Sequence, residues 1–436
     1  MLLHMNKKYL AFTPRSELLR LSSFGVIVGT AAGIVVVLFR FLIEYVQTEL
    51  LNDADPENYE SLSNLEIFLF PLIGGILLGT IFHFIPKQYR QVGVGHTLNG
   101  LKNQEAKLPF KNAITQFFGG AITIASGHSV GREGPSIHLG AATGSLIGQH
   151  FKLDYSHTQI LLGCGVAAAI AASFNTPIAG VIFALEVILL DYAVLSIMPI
   201  IISAIIATLI SHTVFGAANE FATTSFAITS KVEIFSITTT GIIVGVAAAI
   251  FIRSMVLVNR KSQHIPIFLR LSLAGLLTGI MALMVPEIMS LGYDTIDSAL
   301  NSEFVLSTLL LIIVLKIAAT TIGLGLGLPG GLIGPTLVIG ALIGSAVGII
   351  TQTLIPEAAA DPGLYVMIGM AAMMAATLQA PLAALMAIFE LTLNANIVLP
   401  GLIAIVAASL TCSELFKQPS IFTAMSNADK KPPKQE

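Results

Sequence analysis

Only 11% of the 436 residues are charged and 55% are hydrophobic, whereas ordinary soluble domains carry about 25% charged residues. This composition excludes an ordinary soluble enzyme and a disordered chain. The 22 basic residues are balanced by 25 acidic ones, so there is no positive field to attract nucleic acid. At about 20 apolar residues per crossing, the chain has room for ten or more membrane helices.

The apolar segments follow one another along nearly the whole chain, after a polar arm. They lie near 24–47, 66–86, 113–126, 135–150, 159–191, 195–217, 234–258, 268–287, 305–327, 333–355, 363–390 and 397–412. Several are too short to cross a bilayer at about 1.5 Å per residue, and others are interrupted by Gly and Pro. Broken segments are tolerated at membrane depth only where they are buried in protein or line a cavity. The pattern is typical of a transporter or channel.

One glycine-rich motif occurs twice, 200 residues apart. The segment 131–145 reads GREGPSIHLGAATGS, and the segment 331–345 reads GLIGPTLVIGALIGS. A second pair follows at an offset of 204, where 165–187 resembles 369–391 and Glu186 matches Glu390. We interpret both glutamates as structural, capping or hydrogen-bonding within the fold. The chain is therefore predicted to consist of two homologous halves.

The repeat and the distribution of charge together predict the organisation of the chain. The halves span 24–215 and 233–412 and are joined by a loop at 216–232. The arm at 1–23 and the tail at 413–436, with no regulatory domain, flank them. Because basic residues concentrate in the arm, the tail and some loops, the positive-inside rule predicts that both termini are cytoplasmic.

The repeated motif also predicts the charge of a ligand. Each Gly-rich loop leads through a proline into an apolar helix, where proline's missing N–H costs nothing. Helix N-termini present unpaired N–H groups and the positive end of the helix dipole. In transporters, inverted repeats place such ends at their interface near the bilayer midplane. Two of them aimed at one point would form an anion site without a cationic side chain.

These motifs resemble those of the CLC family of chloride channels and proton-coupled chloride antiporters. The sequence GREGP at 131–135 is similar to the family's G-[KR]-E-G-P motif. GLIGP at 331–335 resembles G-x-F-x-P, with Ile333 in the Phe position, and GVGHT at 93–97 departs from G-S-G-I-P. The resemblance covers about 24–425. It implies an all-α polytopic membrane protein with an inverted repeat of broken helices. It also implies a homodimer with one anion pathway per subunit, surrounded by lipid in a bacterial inner membrane.

The resemblance also implies roles for individual residues. Glu133 occupies the position of the family's external gate, a carboxylate that competes with the anion for its site. An ionisable group at membrane depth is costly and usually functional, which agrees with that role. The anion would bind backbone N–H groups of Arg132, Gly134, Leu332 and Ile333.

Three positions depart from the family pattern. Val94 replaces the serine of the central anion site, and Phe422 replaces its tyrosine, so two hydroxyl donors are lost. Val187 stands where the antiporters usually carry an internal proton-transfer glutamate. The sequence Leu185-Glu186-Val187 resembles instead the family's channels and a bacterial branch. We expect weaker central-site binding, poorer selectivity among anions and no obvious proton relay.

These departures favour a passive chloride channel with Glu133 as its gate, of the voltage-gated kind that the resemblance implies. Proton-coupled antiport on the same fold is the main alternative. Fluoride export is a third, but the motif with Arg132 resembles the chloride branch more than the fluoride exporters. We expect no catalytic residue, metal site or cofactor.

Two other patterns in the sequence would indicate an enzyme and not a transporter. An intramembrane protease would use Ser129 with His96, His128 or His138 as its base, but the repeat does not explain one. The G-x-S-x-G pattern at 127–131 lacks the strand that a hydrolase elbow requires. His138 lies close to the gate motif, and it either tunes a pH response or forms an interior hydrogen bond.

Overall fold

The computed structural model of the protein describes residues 14–429 except 52, 54, 193, 218–220, 222–230 and 355–360. The first 13 residues of the predicted arm, most of the linker at 216–232 and the tail beyond residue 429 lie outside the described residues. Within these limits the chain is helical, in two series of eight helices and a final short one. This agrees with the all-α prediction.

The first series begins with a long helix and alternates long and short elements. Its helices are α1 (Pro14–Leu51), α2 (Asn64–Phe84), α3 (Gly93–Asn103), α4 (Phe110–Ala125), α5 (Glu133–His150), α6 (Tyr155–Phe174), α7 (Pro177–Phe183, extended by a π-helical turn, Ala184–Leu189) and α8 (Val194–Phe215).

The second series repeats that order and is followed by one more helix. Its helices are α9 (Lys231–Ser262), α10 (Ile267–Ala282), α11 (Tyr293–Leu300), α12 (Leu306–Leu326), α13 (Ile333–Leu354), α14 (Pro362–Leu378), α15 (Pro381–Thr392) and α16 (Val398–Leu410, extended by a π-helical turn, Thr411–Leu415), and α17 (Ile421–Asp429) stands outside the repeat.

The two halves are inverted relative to each other, because corresponding helices pack antiparallel. On α2 and α10, Gly75 lies against Gly275, whereas Gly79, further along α2, lies against Phe268, earlier on α10. The missing side chains let the two backbones approach: a Cβ added at Gly75 would lie 2.5 Å from the carbonyl oxygen of Leu271. The inverted repeat predicted from the sequence is confirmed.

The helix breaks at membrane depth have the same cause in both halves. Helix α6 ends at Asn175 and α14 ends at Gln379, each in the left-handed conformation, with φ of 60° and 56°. Two residues later, Pro177 and Pro381 begin α7 and α15. A left-handed residue ends a helix and a proline at its first position starts the next. The single apolar run near 159–191 therefore folds as two helices.

Eight of the described helices are long and apolar enough to cross a membrane, and four further apolar helices are shorter. Helices α6 and α13 are enclosed mostly by protein, whereas α2 and α8 expose much of their apolar surface. The enclosed helices carry the Gly-rich motifs or pack directly against them, which places the motifs in the interior of the protein.

Two boundaries differ from the sequence prediction. Helix α1 already begins at Pro14, because its first turns are polar and carry Glu17, which suits a helix N-terminus. The predicted arm at 1–23 is thus partly helix. The segment 413–429 is not simply a tail, since α17 packs against α3, α9 and α14. Burial of Ile421 and Phe422 holds this short helix in place.

Candidate anion site

The two Gly-rich loops meet at the centre of the protein through a two-residue antiparallel bridge. The N–H of Gly131 donates to the carbonyl of Gly331 at 2.8 Å, and the N–H of Gly331 donates to the carbonyl of Gly131 at 2.7 Å. Helix α5 begins at Glu133 and α13 at Ile333, immediately after the bridge. The first N–H groups of both helices, which have no intrahelical partners, therefore lie close together. The sequence had predicted this convergence.

The carboxylate of Glu133 lies at this meeting point, and its side chain is only 1% exposed. A Cβ added at Gly131 would lie 1.9 Å from Oε2 of Glu133, and one at Gly331 would lie 2.9 Å from the same atom. A Cβ at Gly334 would lie 3.0 Å from Oε1. The carboxylate therefore occupies a hollow that exists because these positions are glycines. It is an anionic group at the N-termini of two helices.

Tyr293, the first residue of α11, contacts the carboxylate of Glu133 from the second half. Its hydroxyl donates to Oε1 of Glu133 at 2.9 Å. Its ring packs edge-on against Phe221 at 5.9 Å and also contacts Phe174. Sequence reasoning missed this residue. The signal was present, because Tyr293 lies 200 residues after Gly93, and α11 is the counterpart of α3.

Arg132 extends away from the bridge toward α1 and α6. Its guanidinium lies 3.6 Å from Oε1 of Glu44 and donates to the carbonyl of Ser173 at 3.1 Å. The same carboxylate of Glu44 accepts a 2.6 Å hydrogen bond from Arg40. The guanidinium also lies over the ring of Tyr293, 5.4 Å from its centroid. Arg132 thus anchors the loop and braces the tyrosine that contacts Glu133.

Val94 and Phe422, the two substituted central-site positions, stand in the first turns of α3 and α17, which pack against each other. Both side chains are buried in the main apolar core. The N–H of Gly93, at the start of α3, is taken by the side-chain oxygen of Gln116 at 2.6 Å. The nearby hydroxyl of Thr97 donates to the carbonyl of Gly93 in its own helix. Neither Val94 nor Phe422 can donate a hydrogen bond from its side chain.

Val187, at the position of the internal proton site, is half-buried in the π-helical turn after α7. Glu186 beside it accepts from the N–H groups of Leu382 and Ala383 at 3.2 and 2.8 Å. The matching Glu390 accepts from the first N–H groups of α7, those of residues 178 and 179, at 2.9 and 2.7 Å. Each glutamate caps the helix of the opposite half, which confirms the structural role predicted for the pair.

The histidines near the motif have partners other than Ser129. Nδ1 of His96 lies 2.8 Å from Nε2 of His138, and both rings are buried. The ring of His128 bonds to Ser126 and to a backbone carbonyl. The hydroxyl of Ser129 shares a 2.9 Å hydrogen bond with Thr320. Among the described residues, no histidine hydrogen-bonds to Ser129, so the geometry does not support the protease alternative.

Next to the N-terminus of α13 lies a cavity of about 20 Å³, lined by apolar side chains that include Ile333 and Phe174. Such a volume holds about one water molecule. In this conformation, the space beside Ile333 is too narrow for a hydrated anion. The carboxylate of Glu133 and the apolar side chains around it leave little free volume at the meeting point of the two helices.

The chain matches known proteins over most of its length. Residues 75–413 match the family model of the voltage-gated chloride channels. A putative ClcB-like chloride channel protein of Ralstonia nicotianae is 31% identical, over 79% of this chain and 81% of its own. The H(+)/Cl(-) exchange transporter ClcA of Vibrio parahaemolyticus is 28% identical, over 90% of this chain and 86% of its own.

Two solved structures have the same fold. A slow cyanobacterial Cl-/H+ antiporter superposes with a TM-score of 0.83 at 24% identity, covering 94% of this chain and 97% of that one. A CLC-type fluoride/proton antiporter superposes with a TM-score of 0.77 at 20% identity, covering 94% and 98%. With the inverted repeat and the paired helix N-termini, these matches lead to one conclusion: the chain belongs to the voltage-gated chloride channel family, CLC, whose members transport anions.

Proposed function

We propose that this protein exchanges chloride for protons across a bacterial inner membrane, with Glu133 as both gate and proton carrier. One observation carries the proposal: the carboxylate of Glu133 fills the hollow where the two helix N-termini converge. The relatives named as exchange transporters favour this activity over the passive channel that the sequence favoured.

The mechanism follows from competition between the carboxylate of Glu133 and chloride for the hollow between the two helix N-termini. Ionised Glu133 is attracted to the N-termini of α5 and α13 and keeps chloride out. Protonation removes that charge, and the side chain then leaves the hollow to chloride. Chloride can enter the hollow only when Glu133 carries a proton. When chloride leaves the hollow, the carboxylate can return and release its proton to the side opposite to the one that chloride moves toward. The chloride flux and the proton flux are therefore coupled.

The convergence of the two helix N-termini supports a set of backbone ligands for the anion. Chloride in the hollow would accept from backbone N–H groups of Arg132, Gly134, Leu332 and Ile333. Because Val94 and Phe422 supply no hydroxyl, the central position relies on the backbone alone. We therefore expect modest affinity and weak discrimination among small anions there.

The assembly and orientation are part of the proposal. We propose a homodimer with one pathway per subunit, embedded in lipid, with both termini in the cytoplasm. The excess of basic residues near the termini supports this orientation. The large exposed apolar surface of helices such as α2 and α8 supports contact with lipid or with a second subunit.

The test is the reversal potential of the purified protein in liposomes, first under a chloride gradient and then with an added pH gradient. Exchange predicts that the potential moves when the pH gradient is applied. Glu133→Gln should keep chloride flux and abolish proton flux, because glutamine cannot carry a proton. Glu303→Gln, which removes an exposed carboxylate in a loop, is the matched control.

A chloride channel is the second candidate, and Val187 favours it because no carboxylate stands at the internal proton position. In the same assay a channel predicts a potential fixed at the chloride equilibrium value whatever the pH gradient. Replacing chloride with fluoride in this assay tests the third alternative. A fluoride exporter would transport fluoride faster than chloride.

A further inference from the structure

Two buried imidazoles form a direct hydrogen bond beside the anion site. Nδ1 of His96, on α3, lies 2.8 Å from Nε2 of His138, on α5. His138 is fully buried and His96 is 6% exposed. A bond between two ring nitrogens contains one proton, which either ring can own, so one histidine donates and the other accepts. His96 and His138 can therefore share one proton.

The second ring nitrogen of His138 is Nδ1. Among the described residues, Nδ1 of His138 is buried and without a hydrogen bond. Either tautomer leaves it unsatisfied, as a buried donor in one case and a buried acceptor in the other. An unsatisfied buried polar atom is costly, and when it persists it points to water or to a catalytic use. The pair thus ends in a nitrogen that can receive or release a proton.

The position of the pair connects the two parts of the site. His138 lies five residues after Glu133 on the same helix, which is about 7.5 Å along the axis at 1.5 Å per residue. His96 lies two residues after Val94, at the substituted central position. Five residues also turn about 140° around the helix, so a chain of water molecules would have to bridge the pair and Glu133. A proton path along α5 would not need the carboxylate that Val187 replaces.

Few charged groups compete for this proton. Several charged or titratable residues are buried or half-buried on the helices packed against the pair. They are Arg132 and Glu133 on α5, Arg40 and Glu44 on α1 and Cys164 on α6, besides Glu17 and His157 near the starts of α1 and α6. Arg132 and Glu44 are engaged with each other. Lys102, Lys111 and His150 on α3, α4 and α5 are exposed at helix ends. Glu133 is therefore the buried carboxylate on the helix of His138.

We propose that His96 and His138 form an internal proton-binding site that supplies Glu133 with the protons it exchanges. A proton binds Nε2 of His96, and the proton on its Nδ1 passes to Nε2 of His138. The proton on Nδ1 of His138 then leaves to a water molecule, which delivers one to the carboxylate of Glu133. One proton enters and one leaves. Each ring then returns to its starting tautomer by rotating and exchanging its proton with water, because passing the protons back through the same hydrogen bond would undo the transfer. This inference rests on the proposed exchange function.

The experiment compares His138→Gln and His96→Gln with the wild type in the liposome assay. Glutamine keeps a hydrogen-bonding side chain but cannot carry an added proton. We expect chloride flux to persist while proton flux falls by about a hundredfold, the low end of what a positioned acid–base group contributes. The reversal potential should then move to the chloride value. His150→Gln, exposed on the same helix, should leave both fluxes unchanged.

The outcomes separate this inference from the proposed function. If both variants couple protons as the wild type does while Glu133→Gln does not, the histidine site is wrong and the exchange function stands. If the wild type itself ignores the pH gradient, the exchange function fails and the inference fails with it. Should a variant not fold, NMR of ¹⁵N-histidine in the wild type decides. A buried pair that gains a proton between about pH 5 and 8 supports the site, and two rings neutral throughout overturn it.

Discussion

The hydroxyl of Tyr293 donates a 2.9 Å hydrogen bond to Oε1 of Glu133, so the carboxylate proposed as the gate, in the first half, is held by a residue of the second. The backbone N–H of Tyr293 in turn donates to Oε2 of Glu57, in the loop between α1 and α2. A chain of contacts thus links a loop outside the long helices to the proposed gate. Movement of α11 would release Glu133.

Tyr293→Phe tests this link. The ring and its packing remain, and only the hydrogen bond to the carboxylate is lost. Hydrogen bonds to charged groups contribute about 1.5–3 kcal/mol, and about 1.4 kcal/mol corresponds to a tenfold change in an equilibrium constant. We expect chloride flux to rise about tenfold or more. Tyr365→Phe, which loses a buried bond to Ser236 far from the gate, is the control. Equal fluxes in wild type and Tyr293→Phe would remove the tyrosine from gating.

Val94→Ser should sharpen anion selectivity. The new hydroxyl stands in the first turn of α3, where it adds a directed donor to a position now lined by hydrocarbon. We expect tighter chloride binding by about 1 kcal/mol, the usual net value of one hydrogen bond. Calorimetric titration with chloride and nitrate measures it. Phe422→Tyr should act in the same direction, and unchanged affinity in both variants would contradict the assignment of these positions.

The reciprocal caps should matter for stability rather than for transport. Glu186→Gln and Glu390→Gln each remove a charge that accepts two N–H bonds at a helix start. We expect each to lower the free energy of unfolding by about 1.5–3 kcal/mol, as for hydrogen bonds to charged groups. Thermal unfolding in detergent provides the measurement. Glu414→Gln, from an exposed ion pair with Lys417, should change little. A large effect on proton coupling with normal stability would contradict the structural role.

A carboxylate outside the membrane-spanning helices should make stability depend on pH. Desolvation of its carboxylate, and then the charge of Asp294, raises the pKa of Glu60 from 4.5 to about 8. The folded protein therefore favours the protonated form, so this contribution is complete below about pH 4.5 and is lost as the pH rises through 8. Glu60→Gln should flatten the fall of the melting temperature over this range. Glu303→Gln is the control, and parallel curves for wild type and Glu60→Gln would refute the expectation.

The sequence predicted those features that the repeat encodes. The 200-residue offset indicated two halves, their inversion and the meeting of the loops at Gly131 and Gly331. The match of Glu186 with Glu390 indicated the caps. By contrast, the bond between His96 and His138 joins helices whose contact is set by packing, and no local pattern reports it. Sequence reasoning missed Tyr293 because a tyrosine does not resemble a glycine. Its position alone, 200 residues after Gly93, relates it to the first half.

The bridge between Gly131 and Gly331 limits how the protein can work. Many transporters with inverted repeats alternate access by rocking one repeat against the other around a fixed site. Here the repeats are fastened to each other at the site itself, and rocking would break both bridge hydrogen bonds. We therefore expect access to change through side-chain rotations and small helix shifts. Transport then involves little change in molecular shape, and bulky lipids or tight crystal packing that resist domain motion should leave its rate nearly unaffected.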